Sequence, residues 1–510
     1  MRITFVTVAP LRQGPSGPTS DLASARYRVL MPAQQLARRG HAVQVMSLPP
    51  GDPPREALDL QADAVVFGKS FSASNEKLAA HLRERGLRVV ADYCDDHFAH
   101  PGLGPHFRRM AELATDVVAS TEAMAEAIRS NTGREARVIT DPVEGPRGEP
   151  RFAPRLPALR VLWFGHPTNL VSLADKAGEL RALAQRMPVA LSIVTERSPQ
   201  AEKLATDLAQ LLPPHSKVLL VPWSLEGTWK ALEQCDVVWI PVLESDAKLA
   251  KSPNRLVESL WAGRFVVAGP VPAYLPYADL VAVGKPLDAA VLEALEDPPG
   301  IEAKLREAQR RVARRHSGFE CGREWAHALG DDAPVPLRLN LGCGDKILPD
   351  YVNVDVVEAR AGMKPDVICD LHELSPFVDD SADEILSVHV VEHFWRWEVR
   401  DVLREWVRVL KPGGRMVVEC PNIRSACETF LQDPVSGARE DQAGQRTMWV
   451  FYGDPKWKDP LMIHRWGYTP ESLRELLAEA GLAEVRQEPA QFKLREPRDM
   501  RIVGVKPARG

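Results

Sequence analysis

The chain has 510 residues, 45% of them hydrophobic and 26% charged, with a net charge of −5. That length exceeds one ordinary core and, at about 100–200 residues per domain, implies roughly three, while the acidic balance offers nothing to attract nucleic acid or an anionic membrane. No stretch reaches the roughly 20 apolar residues of a membrane span and the opening MRITFVTVAPLRQG lacks a signal-peptide layout, so a cytoplasmic protein is expected; seven scattered cysteines without CxxC spacing argue against a disulfide framework or a structural zinc site.

From residue 2 onward, short β-branched runs alternate with Ala/Leu/Arg-rich segments: RITFVTVA, ARYRVLMPAQQLARRG, AVQVMSL, DAVVFG, EKLAAHLRERG and LRVVADY. This is the pattern of parallel strands with helices on both faces. Asp92, Asp95 and Asp96 cluster at a strand end, where carboxylates are commonly solvated or cap a helix, and no metal is assigned to them. Residues 141–157, DPVEGPRGEPRFAPRLP, read as a linker, and LGDDAPVPLRLN at 329–340 reads as a second break. Three αβ units are expected, at 1–150, 151–330 and 335–510.

In the second unit the stretch at 236–269, DVVWIPVLESDAKLAKSPNRLVESLWAGRFVVAG, predicts a helix of about ten residues, with Ser252 as N-cap, Pro253 in the first helical position and Gly263 just past the end. A helix start that follows a strand is a ready anion site. Lys251 and Arg255 bracket it, and Glu258 lies on a neighbouring face; the same residues also suit an ordinary salt-bridged helix.

With ASARYRVLMPAQQLARRGHAVQVM, VVADYCDDHF, ATDVVASTEAMAEAI and LRVLWFGHPTNLVSL, this stretch makes residues 1–325 resemble glycosyltransferases of the two-Rossmann, GT-B type, particularly bacterial enzymes that use nucleotide-sugars. The resemblance implies an acceptor held by the first unit, a donor held by the second, and reaction between them. It further implies that Glu258 matches the second glutamate of the retaining enzymes' E-x7-E motif. Lys251, Asn254 and Arg255 then fall in the phosphate-proximal turn, Gly165, His166 and Asn169 approach the donor diphosphate, and Arg26 and Arg28 lie in the first acceptor-side loop. The first glutamate of the motif falls on Ala250, a departure that puts the retaining mechanism, and the activity, in question.

The third unit opens with LRLNLGCGDK, a strand meeting a glycine turn. Asp355 closes the next strand, YVNVD, where a carboxylate can accept two ribose hydroxyls, and Asp370 ends DVICD before Leu371. EILSVHVVEHF, DVLREWVRVL and KPGGRMVVECPN follow. In this order the elements resemble class I S-adenosylmethionine-dependent methyltransferases over residues 335–510. The resemblance implies that Asn340, Gly342, Cys343 and Gly344 wrap the methionine part of the cofactor, that Asp355 holds the ribose, and that Asp370 and Leu371 meet the adenine. His389 joins the cofactor-binding set, at the start of a segment to His393 that faces the substrate.

A nicotinamide enzyme is the rival reading. Only about ten residues separate Gly344 from Asp355, against about 20 after a dinucleotide fingerprint, and the third glycine position of that fingerprint is Ile347. The methyltransferase pattern also departs from its family: its leading acid is Asn340, its third glycine is Lys346, and ILPDY is too short for a crossover helix, so a turn or a single helical turn is expected there.

Methyl transfer to an alcohol needs in-line placement and a base. His393 in VVEHFW and His464 in MIHRWGY are the candidate catalytic residues, since imidazole titrates near neutral pH. Alternatively, Glu392 and His393 shape the pocket floor or cap the following helix, and His464, Arg465, Trp466 and Tyr468 form a surface loop ahead of a helix with Thr469 as N-cap and Pro470 first. Tyr452 and Trp457 suit a sugar ring or serve as packing.

The expectation is an α/β protein of three Rossmann-like αβα domains: a bifunctional glycosyltransferase and methyltransferase of bacterial surface polysaccharide or glycoconjugate biosynthesis. Its cofactor is S-adenosyl-L-methionine, its co-substrate a nucleotide-sugar and its acceptor a glycan, with no nucleic-acid partner, no integral membrane segment and no metal. Fusion places one product at high effective concentration near the next site. The alternative keeps the methyltransferase and makes the first 330 residues a catalytically inactive glycan- or nucleotide-binding module. Methylation of RNA or protein is a third reading, and the absence of a basic aromatic stripe weighs against RNA.

Overall fold

Strands rich in Val, Ile, Leu and Ala need both faces covered, and the fold is organised around that requirement. The computed structural model describes residues 1–14, 17–48, 51–68, 71–154, 157–243, 249–331, 336–492 and 497–508. Two compact units result, Met1–Ala333 and Pro334–Gly510.

The first unit opens with β1 (Arg2–Thr7) and a short hairpin, β2 (Arg12–Gly14) and β3 (Gly17–Thr19), followed by β4 (Ala42–Ser47), β5 (Ala64–Gly68), β6 (Arg88–Tyr93), β7 (Asp116–Ala119) and β8 (Arg137–Val138). These form a parallel six-stranded sheet in the order β4-β1-β5-β6-β7-β8. Every residue of β5, AVVFG, is buried. A second parallel six-stranded sheet holds β9 (Leu159–Phe164), β10 (Val189–Thr195), β11 (Lys217–Pro222), β12 (Val237–Ile240), β13 (Phe265–Ala268) and β14 (Ala282–Val283), ordered β11-β10-β9-β12-β13-β14. Strand order reverses at β9, which opens a crevice at the carboxyl ends of β9 and β12.

After the second sheet the helix Pro298–His316 packs Leu305, Ala308 and Val312 against it. The next helix, Gly318–Ala328, returns to the first sheet, where Trp325 meets Phe5 with ring centroids 5.7 Å apart. This cross-over joins two Rossmann-like sheets in one unit, the layout that the GT-B resemblance implied. The described residues of 141–157 lack regular structure, as expected of a linker, yet they are tied down: the N–H groups of Val143, Gly148 and Arg151 donate to the carbonyls of His316, Trp261 and Gly263. Residues 155 and 156 of this stretch, and 332–335 of the second break, lie outside the described residues.

One boundary differs from expectation. The helix near residue 254 runs Asn254–Trp261, with Pro253 rather than Ser252 in the N-cap position. Proline at φ −81 and ψ 22 stands outside the helical turn, which shortens the helix to eight residues. Its end is as read: Gly263 has φ +70, and a Cβ there would lie 2.5 Å from the Glu149 carbonyl.

The second unit contains β15 (Arg338–Leu341), β16 (Val352–Asp355), β17 (Val367–Ile368), β18 (Ala382–Val388), β19 (Leu410–Pro421), β20 (Ala483–Glu488) and β21 (Asp499–Val505). Their order is β17-β16-β15-β18-β19-β21-β20, with β21 antiparallel to both neighbours. Counted within this unit the order is 3-2-1-4-5-7-6. Between β15 and β16 there is only a turn, as the short ILPDY requires.

Candidate functional site

In the C-terminal unit the strand order reverses at β15, and the residues read from the glycine turn collect at its carboxyl end. Gly342 and Gly344 have φ of +69 and +55, a region that disfavours side chains. At Gly342 space is lacking as well, since a Cβ would lie 2.5 Å from Val390 Cγ2. Asp355, 7% exposed, accepts from the Gly344 N–H through Oδ2 at 2.7 Å and from the Val357 N–H through Oδ1 at 3.1 Å. The carboxylate at this strand end thus also fixes the glycine loop.

Asn340 serves the loop from behind: its Nδ2 donates to the Lys346 carbonyl and to Asn353 Oδ1, both at 2.9 Å. Asn353, which the sequence reading missed, accepts from the Leu348 N–H at 2.8 Å and donates to the carbonyls of Leu348 and Tyr351. These two amides hold the short crossing that elsewhere needs a helix. The only available signal was the buried polar position inside YVNVD. Cys343 is buried, and burial, with the Asp355 and Asp366 charges, pushes its thiol up to about 12, so it is no thiolate. The Asp370 side chain is exposed and accepts from His372, while Leu371 is buried beneath it with its carbonyl receiving the Trp406 indole N–H at 2.9 Å.

After β18 the backbone reaches φ +58 at His389 and forms a single 3-10 turn, Val391–His393. Glu392 is 2% exposed, and its Oε2 has no hydrogen-bond partner. Three imidazoles surround it. His389 Nδ1 lies 3.3 Å from Glu392 Oε1, with its Nε2 3.2 Å from Asp499 Oδ1. His464 Nε2 lies 3.9 Å from Glu392 Oε1, and the rings of His393 and His464 meet edge to face at 5.0 Å. Burial alone would raise the Glu392 carboxyl, but His389 first, then His393 and His464, hold it at about 2. His464 is itself pushed down by burial.

Residues 463–466 are docked on this turn: the Arg465 and Trp466 N–H groups both donate to the Glu392 carbonyl. His393 Nδ1 lies 3.0 Å from the Ile463 carbonyl and His464 Nδ1 lies 2.8 Å from the Val450 carbonyl. A carbonyl can only accept, so each Nδ1 carries the proton, and in the neutral ring the lone pair is then on Nε2. The two histidines chosen from sequence are therefore brought together, with Glu392 as their buried neighbour.

An aromatic shelf lies beside them. Trp395 and Trp397 stack at 4.8 Å with an interplanar angle of 8°, and the Arg465 guanidinium sits 5.1 Å from the Trp395 ring. Trp466 is 47% exposed. The W-x-W spacing in FWRWEV was the signal for the stacked pair, which the sequence reading passed over. Tyr452 is exposed, and Trp457 packs under Arg360, which also pairs with Asp459 at 3.1 Å.

In the N-terminal unit the candidates engage one another. Arg28 is fully buried, with Nε donating to Asp92 at 2.9 Å and Nη1 to Asp141 at 2.9 Å. Asp141 in turn receives Asn254 Nδ2 at 2.8 Å. Lys251 pairs with Asp95 at 3.6 Å, Asp96 accepts from the Phe98 N–H, and Arg26 pairs with Glu144 at 2.7 Å. Tyr27 donates its hydroxyl to Glu258, whose carboxyl burial pushes up to about 7. Arg255 Nη1 reaches the Phe164 carbonyl at 3.5 Å and lies against Gly165, at the carboxyl end of β9. His166 is exposed and caps the turn Pro167–Asn169, with Asn169 closing it through its backbone. Arg255, Gly165 and Glu258 share the crevice; His166 is spent on local turn structure. Ala250 is buried in the apolar cluster of the first sheet, and its carbonyl accepts from Thr121.

A family model described as a methyltransferase domain matches residues 339–418. Among solved structures the chain is similar to TarM, at 13% identity over 52% of this chain and 54% of that one with a TM-score of 0.41, so it spans about half of TarM's length. It is also similar to AviGT4, a glycosyltransferase involved in avilamycin A biosynthesis, at 15% identity over 64% of this chain and 97% of that one with a TM-score of 0.43. A SAM-dependent methyltransferase from Archaeoglobus fulgidus is similar at 19% identity over 34% of this chain and 86% of that one, with a TM-score of 0.24. No curated protein matches the sequence.

Proposed function

We propose that the C-terminal unit methylates a hydroxyl of a sugar-type acceptor with S-adenosyl-L-methionine, and that the N-terminal unit transfers a sugar from a nucleotide-sugar donor, the two acting in bacterial surface polysaccharide or glycoconjugate biosynthesis. The observation that carries the first part is the constellation at the end of β15 and β16: two glycines at positive φ and a buried strand-end carboxylate within the matched methyltransferase domain. These residues fit the cofactor. Residues 340–344 are assigned to its methionine part, Asp355 to the ribose, and Asp370 with Leu371 to the adenine, with His389 at the inner wall.

When bound, the cofactor supplies a methyl group already activated on a sulfonium. The chain has to orient the acceptor and remove its hydroxyl proton. His393, the more exposed of the two histidines, is assigned as the proton acceptor through Nε2, its Nδ1–H being committed to Ile463. His464 stands behind it, kept neutral by burial. The Trp395, Trp397 and Trp466 faces suit the apolar side of a pyranose ring. S-adenosylhomocysteine should raise the melting temperature of the full chain at micromolar concentration, and an unchanged melting curve well above that concentration overturns the cofactor assignment.

For the N-terminal unit, support comes from Arg255 beside Gly165 at the strand-order reversal, a place suited to a diphosphate. Ala250 favours the second reading, a binding module without turnover. Its side chain lies in an apolar cluster, so the position of the missing glutamate has become a packing position. Incubation with a panel of nucleotide-sugars separates the two: transfer or hydrolysis lost in Arg255→Ala supports catalysis, and binding without turnover supports the module.

A further inference from the structure

We propose that Nε2 of His393, Nε2 of His464 and the carboxylate of Glu392 bind one divalent first-row transition ion. One ligand atom from each of the three lies within 4.8 Å of the others. Two features of the side chains and one of the backbone point to a cation. Both histidines give their Nδ1–H to a backbone carbonyl, the outer bond that metal-ligating histidines characteristically make, which leaves Nε2 of each as the nitrogen available to an ion, and His464 Nε2 lies 3.9 Å from Glu392 Oε1. Glu392 is 2% exposed; its Oε1 has His389 Nδ1 at 3.3 Å, but its Oε2 has no hydrogen-bond partner, a buried oxygen that a cation would satisfy. The backbone around the ligands is rigidly joined, because Glu392 receives two N–H groups from the segment that carries His464.

His389 is not part of this set. Its ring spans Glu392 and Asp499, with Nδ1 3.3 Å from Glu392 Oε1 and Nε2 3.2 Å from Asp499 Oδ1, so both of its nitrogens face carboxylates and it orients Glu392. A tetrahedral ion about 2.1 Å from each ligand sets neighbouring ligand atoms about 3.4 Å apart, so binding draws the three together by about an ångström. Two imidazoles with one carboxylate select for Zn2+, Fe2+, Co2+ or Ni2+ over Ca2+ and Mg2+. Metal binding itself is independent of the methyl-transfer reading. Its consequence rests on that reading and revises it: with Nε2 of His393 committed to the ion, the acceptor hydroxyl would bind the ion, which would lower its pKa, and its proton would leave to solvent instead of to His393.

The test uses the full chain, stripped with chelator and titrated with Co2+. The expected result is one Co2+ per chain with visible ligand-field absorption, and at least a tenfold loss of affinity in His393→Gln and in His464→Gln, each checked by circular dichroism. His393 is partly exposed, so its substitution should leave the fold intact. Crystals soaked in Co2+ give a readout that needs no variant, an anomalous peak bonded to both Nε2 atoms. No Co2+ absorption in the folded parent protein, unchanged affinity in folded His393→Gln, or a peak elsewhere overturns the proposal. S-adenosylhomocysteine melting curves on the same stripped protein separate the two readings: a shift without Co2+ binding sinks only the metal site, and Co2+ binding without a shift sinks only the methyl-transfer assignment.

Discussion

Each unit holds a glutamate among close polar neighbours, and the two are held in opposite states. Glu258, in the N-terminal unit, faces the Tyr27 hydroxyl with Glu144 nearby, and burial takes it to about 7. Glu392, in the C-terminal unit, faces three imidazoles and is held at about 2. The same contrast extends to their surroundings. In the N-terminal unit the charged candidates satisfy one another in a closed network, whereas around Glu392 one carboxylate oxygen is shared among imidazoles and the other has no hydrogen-bond partner. Closed networks stabilise a fold, and open ones wait for a ligand.

The largest effect that probes this contrast is at Arg28. If the N-terminal network is structural, Arg28→Met leaves Asp92 and Asp141 buried without their cation and should cost about 3–5 kcal/mol, read as an earlier urea transition of the N-terminal unit. A variant of normal stability that loses only donor or acceptor binding would reverse the assignment and make Arg28 a ligand residue.

Next in size is a pair of glycines at corresponding strand ends. Gly342→Ala forces a Cβ to 2.5 Å from Val390 at φ +69, so strain of about 1–3 kcal/mol and at least a tenfold loss of S-adenosylhomocysteine affinity are expected by calorimetry. Gly165→Ala meets nothing closer than Arg255 Nη1 at 3.4 Å and should leave the melting temperature nearly unchanged. Equal effects in the two variants would remove the distinction between a tight loop and an open one.

The sheets were legible because hydrophobic runs alternate with amphipathic segments, and the glycine turn at Gly342 marks the end of β15, although the KPGG stretch read in the same way lies inside β19. The gathering of His393 and His464 was legible only as two separate guesses, since 70 residues of chain lie between them and the contact is made by backbone bonds to Glu392. Asn353 and the Trp395–Trp397 stack were missed for different reasons. A buried amide in a strand has no local pattern, while two tryptophans two residues apart read as packing until their exposure is known. The role of Ser252 failed on a single proline torsion, and Ala250 read as a missing catalytic group where the fold uses it as a core residue.

The smallest expected effect concerns Glu258 and pH. Its unfolded pKa is about 4.3 and its folded value about 7, so between them the folded chain holds a proton that the unfolded chain has released. The stabilising contribution is therefore complete below the unfolded pKa and is lost as pH rises through 7. Glu258→Gln cannot titrate, and the difference between parent and variant melting temperatures should drift by a few degrees from pH 5 to pH 8, with the parent losing ground. Parallel profiles would show that Glu258 ionises normally, as a donor-binding carboxylate open to solvent would, and the contrast with Glu392 would then rest on the C-terminal histidines alone.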